Sequence, residues 1–309
     1  MPNLITHYFF AEDVIDLLPE EQKNLVKKYR TAYNLGAVGP DFLFTLREIG
    51  DVSARYCNRI HYAHVYDVFA KTAVFLNRNR NEEQMAYMLG FMTHYVADHI
   101  IHPFVNFFAE EGLTRDYGPR FQRHLHGIIE SAVDEWILIK KGKNPRTFSS
   151  FKCVSATIAT KKQVGAIYRD VINKIYRYDV SNYKIRFSFN ISRLFGIVWV
   201  DKFKFKKRLV SWIEDAFGLK KTLSSLMRPP VGYGTVDLLN EKKKPWYKVR
   251  NGFGETSNMS FMEIYELIKT EAVRYLGNYY EAVVDRKPLD RNDFVVNYEG
   301  IQTEWNDRV

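Results

Sequence analysis

The stretch Leu89–Pro103, LGFMTHYVADHIIHP, decides how the rest of the chain is read. Between Gln84 and Ala109 there is no Lys, Arg or Glu, and the only Asp and His residues are His94, Asp98, His99 and His102. They are set among Met, Phe, Tyr, Val and Ile. A helix apolar on nearly every side belongs in a core, where a lone carboxylate is too costly unless it is paired or coordinates a metal. His94 and Asp98 are four apart, so on a helix they stack on one face a turn apart. His102 lies four further on, directly before Pro103, where the chain is biased out of helix and can turn toward the same point. One buried carboxylate with imidazoles on either side reads as metal ligation.

The bulk properties narrow the frame. Across 309 residues no Ser-, Gly- or Pro-rich linker divides the chain, so a single large helical domain over 1–309 is expected. Within it, 1–140 carries the candidate ligands and 150–284 is a basic helical half. A loop at 228–258 reads as a lid beside the site, and 285–309 is a tail with little signal. Cys57 and Cys153 stand in no CxxC, which argues against a disulfide framework and a thiolate zinc site. Any metal is then held by N and O ligands.

The N-terminus, MPNLITHYFFAEDVIDLL, lacks a basic n-region and soon turns acidic, unlike a secretory signal. No apolar run approaches the ~18 residues that span a bilayer, and a soluble, cytoplasmic protein is expected. Residues 1–150 carry a net charge of −1 and residues 151–309 a net charge of +10, while all eight histidines lie at or before His126. The chemistry is therefore expected in the first half and the positive potential in the second, where it suits a phosphate-bearing partner.

Periodicity predicts helices over 6–18, 20–33, 55–77, 82–101, 117–140 and 159–178. Gly36, Gly39 and Pro40 break the chain just before Asp41. Residues 183–212 interleave aromatics with Lys and Arg, and the segment YKIRFSFN also fits a strand. Ser260 and Glu263 form a capping box for a last helix ending near Val284. The fold class is all-α.

Singly, each candidate ligand has an ordinary explanation. Asp41 fits a helix N-cap, His7 a polar residue at a helix start, and His126 with Glu130 a surface i,i+4 pair. His124 and His126 point about 200° apart on a helix, and the four-residue step to Glu130 selects His126. His61 and His64, three apart, both suit one face, and spacing does not choose between them. Jointly, His7, Asp41, His61 or His64, His94, Asp98, His102, His126 and Glu130 are a His and carboxylate set drawn from several helices. Zinc sites use such ligands and, where catalytic, keep a position open for water. Eight exceed the needs of one ion. With Asp98 central they suit two or three ions sharing a bridging carboxylate, the alternative being one ion with spare histidines. Metals ~3.5–4 Å apart are the usual arrangement for phosphoester hydrolysis.

The residues resemble a known family, the bacterial zinc-dependent phospholipases C, related to the single-strand-specific zinc nucleases. The likeness runs through MPNLITHYFF, NLGAVGPDFLF, IHYAHVYDVF, GFMTHYVADHIIHP and HLHGIIESAVDEW, and more loosely KKPWYKVRNGFGETSNMSFMEIYELI. It covers residues 1 to about 270. The resemblance implies three zinc subsites: Asp41, His61, His94 and Asp98; His102, His126 and Glu130; and His7 with Asp98. In secreted members an N-terminal Trp completes the third; this chain begins Met-Pro and is closer to an intracellular, signal-less branch. There the third subsite would be incomplete, filled by water, or served by His64.

The activity so implied is hydrolysis of a phospholipid-type phosphodiester by a zinc-activated water, with Asp41 as general base. Two other readings stand beside it: a nuclease or nucleotidase of the same fold, and a metal-stabilised protein without turnover. The basic aromatic stretch 183–208 suits a membrane surface, single-stranded nucleic acid, or a core helix pair with snorkelling lysines.

Overall fold

Asn81 caps the longest helix, its side chain accepting from the Gln84 amide, and Glu82 and Glu83 in the first turn complement the helix dipole. A computed structural model of the protein describes residues 4–44, 53–112, 122–198, 205–216, 224, 236–248 and 255–303. In chain order the helices are α1 (Leu4–Ile15), α2 (Glu20–Lys28), α3 (Arg30–Ala37), α4 (Ser53–Tyr62), α5 (Val65–Asn79), α6 (Glu82–Phe107) and α7 (Gln122–Lys140). They continue as α8 (Ile158–Ile167), α9 (Asn173–Tyr176), α10 (Asn182–Val198), α11 (Phe205–Ala216) and α12 (Phe261–Val284). The strands described are β1 (Trp246–Tyr247) and β2 (Thr256–Ser257), paired antiparallel. The all-α expectation holds.

Helix α6 is the axle of the bundle. It is buried along almost its whole length, from Gln84 to Asn106, and α3, α12, α1, α8 and α7 pack around it. Its closest neighbour is α3, because Gly36 faces the Tyr87 carbonyl and Gly90 faces the Tyr33 carbonyl with no room for a Cβ on either side. Gly36 therefore lies inside a helix and does not break the chain as expected; it lets two backbones touch. The break falls at Gly39, whose φ is +60 and whose missing Cβ would overlap the His94 ring. That turn leads into a short 3-10 segment, Asp41–Leu43.

Two other expectations are corrected. The helix expected over 55–77 is two helices, because His64 adopts a left-handed conformation, φ 60 and ψ 27, between α4 and α5. Pro103, expected to end the buried helix near 101, lies inside α6, which runs on to Phe107. Proline removes only the amide that would bond the carbonyl four residues back, His99 here. The tail residue Gly300 packs over that carbonyl and the proline ring.

The second half braces the first. YKIRFSFN is helical, not extended, and its Ile185, Ser188 and Phe189 are buried with Ser192 on one face of α10. Phe189 stacks on Phe42 at 3.8 Å, and the Ser188 and Ser192 hydroxyls donate to the Phe42 carbonyl. The turn carrying Asp41 is thus clamped from outside. The Ser260–Glu263 capping box forms and α12 runs to Val284. Of the expected lid, 228–235 and 249–254 lie outside the described residues. Its described part is anchored by Trp246, which is buried against Phe104 and donates its indole N–H to the Met259 carbonyl. No described helix is long and apolar enough to cross a membrane.

Candidate metal centre

Five elements deliver ligand-type side chains to one place. Helix α1 brings His7, the 3-10 turn Asp41, α4 His61, α6 His94, Asp98 and His102, and α7 His126 with Glu130. Three groups have donor atoms within 4.8 Å of one another: His7, Asp41 and His94; His61, His94 and Asp98; His102, His126 and Glu130. His94 belongs to two of them.

Asp98 sits where the groups meet. Its Oδ1 is 3.0 Å from His7 Nε2 and 3.9 Å from His102 Nδ1, and its Oδ2 is 3.2 Å from His94 Nε2. Burial works against its charge, yet His94, His102 and His7 outweigh it and hold the carboxyl well below its usual range. Asp41 is held low in the same way: burial raises it, while His94 and His61 lower it further. Its Oδ1 lies 3.0 Å from His61 Nε2 and 3.8 Å from His94 Nε2. Glu130 is driven down to about 2, burial being outweighed by His126, 2.9 Å away, and by His102.

The outer contacts orient the rings. His61 Nδ1 donates to the Cys57 carbonyl at 2.9 Å, and His102 Nδ1 donates to the Tyr298 carbonyl at 2.7 Å. Both leave Nε2 facing inward, the tautomer a metal needs. At the far side, Asp134 Oδ1 accepts from the Thr6 amide and hydroxyl, at 3.0 and 2.7 Å, which pins the first turn of α1 to α7 and sets the height of His7.

The donor set fits a cation. His94 is fully buried and neither ring nitrogen makes a hydrogen bond among the described residues, although Nε2 touches a carboxylate; Glu130 Oε2 and His7 Nδ1 are likewise unpaired. Such groups cost about 1–3 kcal/mol each when left without a partner. Three carboxylates and five imidazoles, gathered in groups with ligand atoms within 4.8 Å of one another and with some of their buried polar atoms unpaired, are a donor set that borderline-soft divalent zinc accepts. The centre is not sealed. His94 and Asp98 are enclosed, but the His126 side chain is 37% exposed, so the third group forms the open edge.

His64 stands outside all three groups. Its Nδ1 is 3.2 Å from Asp67 Oδ2 and its ring lies edge-on to Tyr176, so of the pair left open by spacing the structure brings His61 to the centre. His99 also points away, donating to the Tyr95 carbonyl, with burial pushing its pKa down to about 4. Sequence reasoning missed Tyr298, Cys57 and Asp134. Two of these act through backbone carbonyls, which leave no signal in the side-chain pattern. Asp134 had one: it lies four residues after Glu130, on the same face of its helix.

Residues 6–185, more than half of the chain, match the family described as zinc dependent phospholipase C. The match takes in every residue of the three groups and ends before the looser motif at 243–268. No curated protein and no solved structure matches the chain.

Proposed function

Because the chain belongs to the zinc-dependent phospholipase C family, we propose that it hydrolyses a phospholipid-type phosphodiester at a centre of two or three zinc ions. The observation that carries this reading is the meeting of three ligand groups around Asp98 with one edge open at His126. A purely structural site would be closed by protein ligands on every side. His61, His94, Asp41 and Asp98 would hold one ion and His102, His126 and Glu130 a second. His7 with Asp98 would contribute to a third. Bound zinc supplies Lewis acidity, lowering the pKa of a water and neutralising phosphoryl oxygens.

The chain's own residues do the rest. We assign proton acceptance to Asp41, at Oδ2, the oxygen other than the one His61 engages. Its low pKa keeps it ionised at neutral pH, and the α10 clamp on Phe42 fixes its position. Enclosure of His94 and Asp98 excludes bulk water and strengthens every charge interaction there.

The lipid class of substrate is supported by α11. That helix presents Phe205, Leu209, Trp212 and Ile213 to solvent, 67%, 42%, 64% and 37% exposed, at i, i+4, i+7 and i+8 spacing. It buries Lys207 and Glu214 instead, the reverse of a core-facing helix. Exposed Lys206 and Arg208 flank the apolar face, within a half of net charge +10. An apolar stripe edged by cations matches an anionic phospholipid surface. The membrane-facing element is then α11, whose first residues fall in the stretch 183–208, whereas α10 turns one face to the core.

Zinc quantification followed by turnover of a phosphocholine ester, a phosphodiester chromogen and single-stranded DNA tests the proposal. We expect two to three zinc ions per chain and hydrolysis of the first two substrates. Fewer than one zinc per chain after refolding without chelator would sink the metal reading; turnover of DNA alone would move the assignment to a nuclease.

A further inference from the structure

We propose that residues 293–303, more than a hundred positions beyond the family match, form a strap that completes the metal centre, with Tyr298 as its positioning residue. The inference rests on the metal-centre reading above. One residue's backbone touches two ligand-bearing helices at once. The Tyr298 amide donates to the His61 carbonyl at 3.1 Å, at the end of α4, and the Tyr298 carbonyl accepts from His102 Nδ1 at 2.7 Å, on α6. The Tyr298 side chain is buried, its ring 5.0 Å from His61 and 5.7 Å from His94. A single peptide unit on each side of Tyr298 therefore sets the spacing of two imidazoles that share no helix.

The strap is built to hold that position. Buried Asn297 closes it into a tight loop: its Oδ1 accepts from the Glu299 and Ile301 amides at 2.9 and 3.1 Å, and its own amide donates to Ile301 at 2.9 Å. Gly300 takes φ +70 at the apex and lies so close to Pro103 Cγ and the His99 carbonyl that a Cβ would stand 2.5 and 2.8 Å from them. The stem is fastened to α6, where the Tyr95 hydroxyl donates to Val296 and Asn106 Nδ2 to Glu299 Oε2, each at 2.9 Å. Pro103 explains why the loop docks there. It strips the His99 carbonyl of its helical donor and leaves a surface that glycine alone can approach.

What the strap contributes is orientation. A histidine ligand whose second nitrogen is fixed to a carbonyl keeps its tautomer and ring angle, and losing such a partner costs about 10–100-fold in metal affinity. The centre is thus encoded in two distant pieces of chain, the ligands before residue 131 and their orienting carbonyl at residue 298.

Zinc dissociation constants, measured by chelator competition on the full chain, test this in the parent, Tyr298→Pro, Gly300→Val and the control Tyr298→Phe. Proline removes the amide that holds His61; valine cannot fit at the apex. We expect both to weaken zinc about 10–100-fold with far-UV helicity unchanged, and the Phe variant to match the parent. Folded Pro and Val variants that bind zinc within about twofold of the parent overturn the strap. A parent that binds no zinc overturns the metal reading instead. Should both variants fail to fold, nitrogen-15 NMR of the zinc-loaded parent decides: an exchange-protected Nδ1 proton on His102 supports the strap, and a freely exchanging one overturns it.

Discussion

At the residue scale, Asp98 and His61 make the sharpest predictions. Asp98 contacts His7, His94 and His102, so Asp98→Ala is expected to lower bound zinc by more than one ion per chain by elemental analysis. Loss of one ion only contradicts a bridging role. His61→Ala should lower the zinc content, whereas His64→Ala should leave it at the parent value, because His64 is engaged with Asp67 and Tyr176. Sequence spacing left these two histidines equivalent for a physical reason. On one continuous helix residues three apart share a face, and nothing in the side chains announced that His64 would take a positive φ and turn α5 away. Gly39→Ala belongs to the same scale. It combines a strained left-handed residue with a collision against the His94 ring, and is expected to cost about 1–3 kcal/mol in denaturant unfolding, together with weakened zinc binding.

At the scale of elements, α6 was legible from its composition, since a run without Lys, Arg or Glu and with a single carboxylate belongs in a core, where that carboxylate has to be paired or hold a cation. The second half was less so. Its aromatic-basic stretch fitted a membrane surface, single-stranded nucleic acid and a core pair alike, because the same aromatic and basic side chains serve all three. Ser188, Phe189 and Ser192 of α10 brace the Asp41 turn, while the apolar face of α11 stays exposed. The tail gave no sequence signal because it works through backbone groups of Tyr298 and through turn geometry at Asn297 and Gly300. For α11, replacing both Leu209 and Trp212 by Ala should weaken partitioning onto vesicles containing phosphatidylserine at least about tenfold, since each large side chain taken into lipid contributes roughly 1.5–3 kcal/mol. Hydrolysis of a soluble chromogenic phosphodiester should be unchanged. Equal vesicle binding by parent and variant removes α11 from the membrane.

Across the whole molecule, folding and metal binding compete with protons for the same atoms. In the zinc-free chain the buried Glu130 carboxyl lies at about 2 against an ordinary 4.5, so its contribution to stability is present above 4.5 and is lost as pH falls toward 2. His61 and His102 have the opposite sign. Burial lowers them, but Cys57 and Asp41 for His61, and Asp98 and Glu130 for His102, raise both well above 6.5. Their contribution is complete below 6.5 and disappears as pH rises through the raised values. Buried His94 and His99 are lowered instead, His99 to about 4, so their contribution is lost as pH falls below 6.5. The zinc-free protein is therefore expected to be most stable near pH 6.5 and to weaken on both sides, on the alkaline side through His61 and His102. Zinc reverses that trend. A metal requires His61 and His102 to release their protons, so its affinity climbs with pH, and a ligand present at 100 times its Kd adds about 2.7 kcal/mol per site. Thermal unfolding with zinc and with chelator should give nearly equal midpoints near pH 5.5 and midpoints that separate progressively toward pH 8. A gap that is constant with pH would show that zinc does not displace protons from these imidazoles, and would remove His61 and His102 from the ligand set.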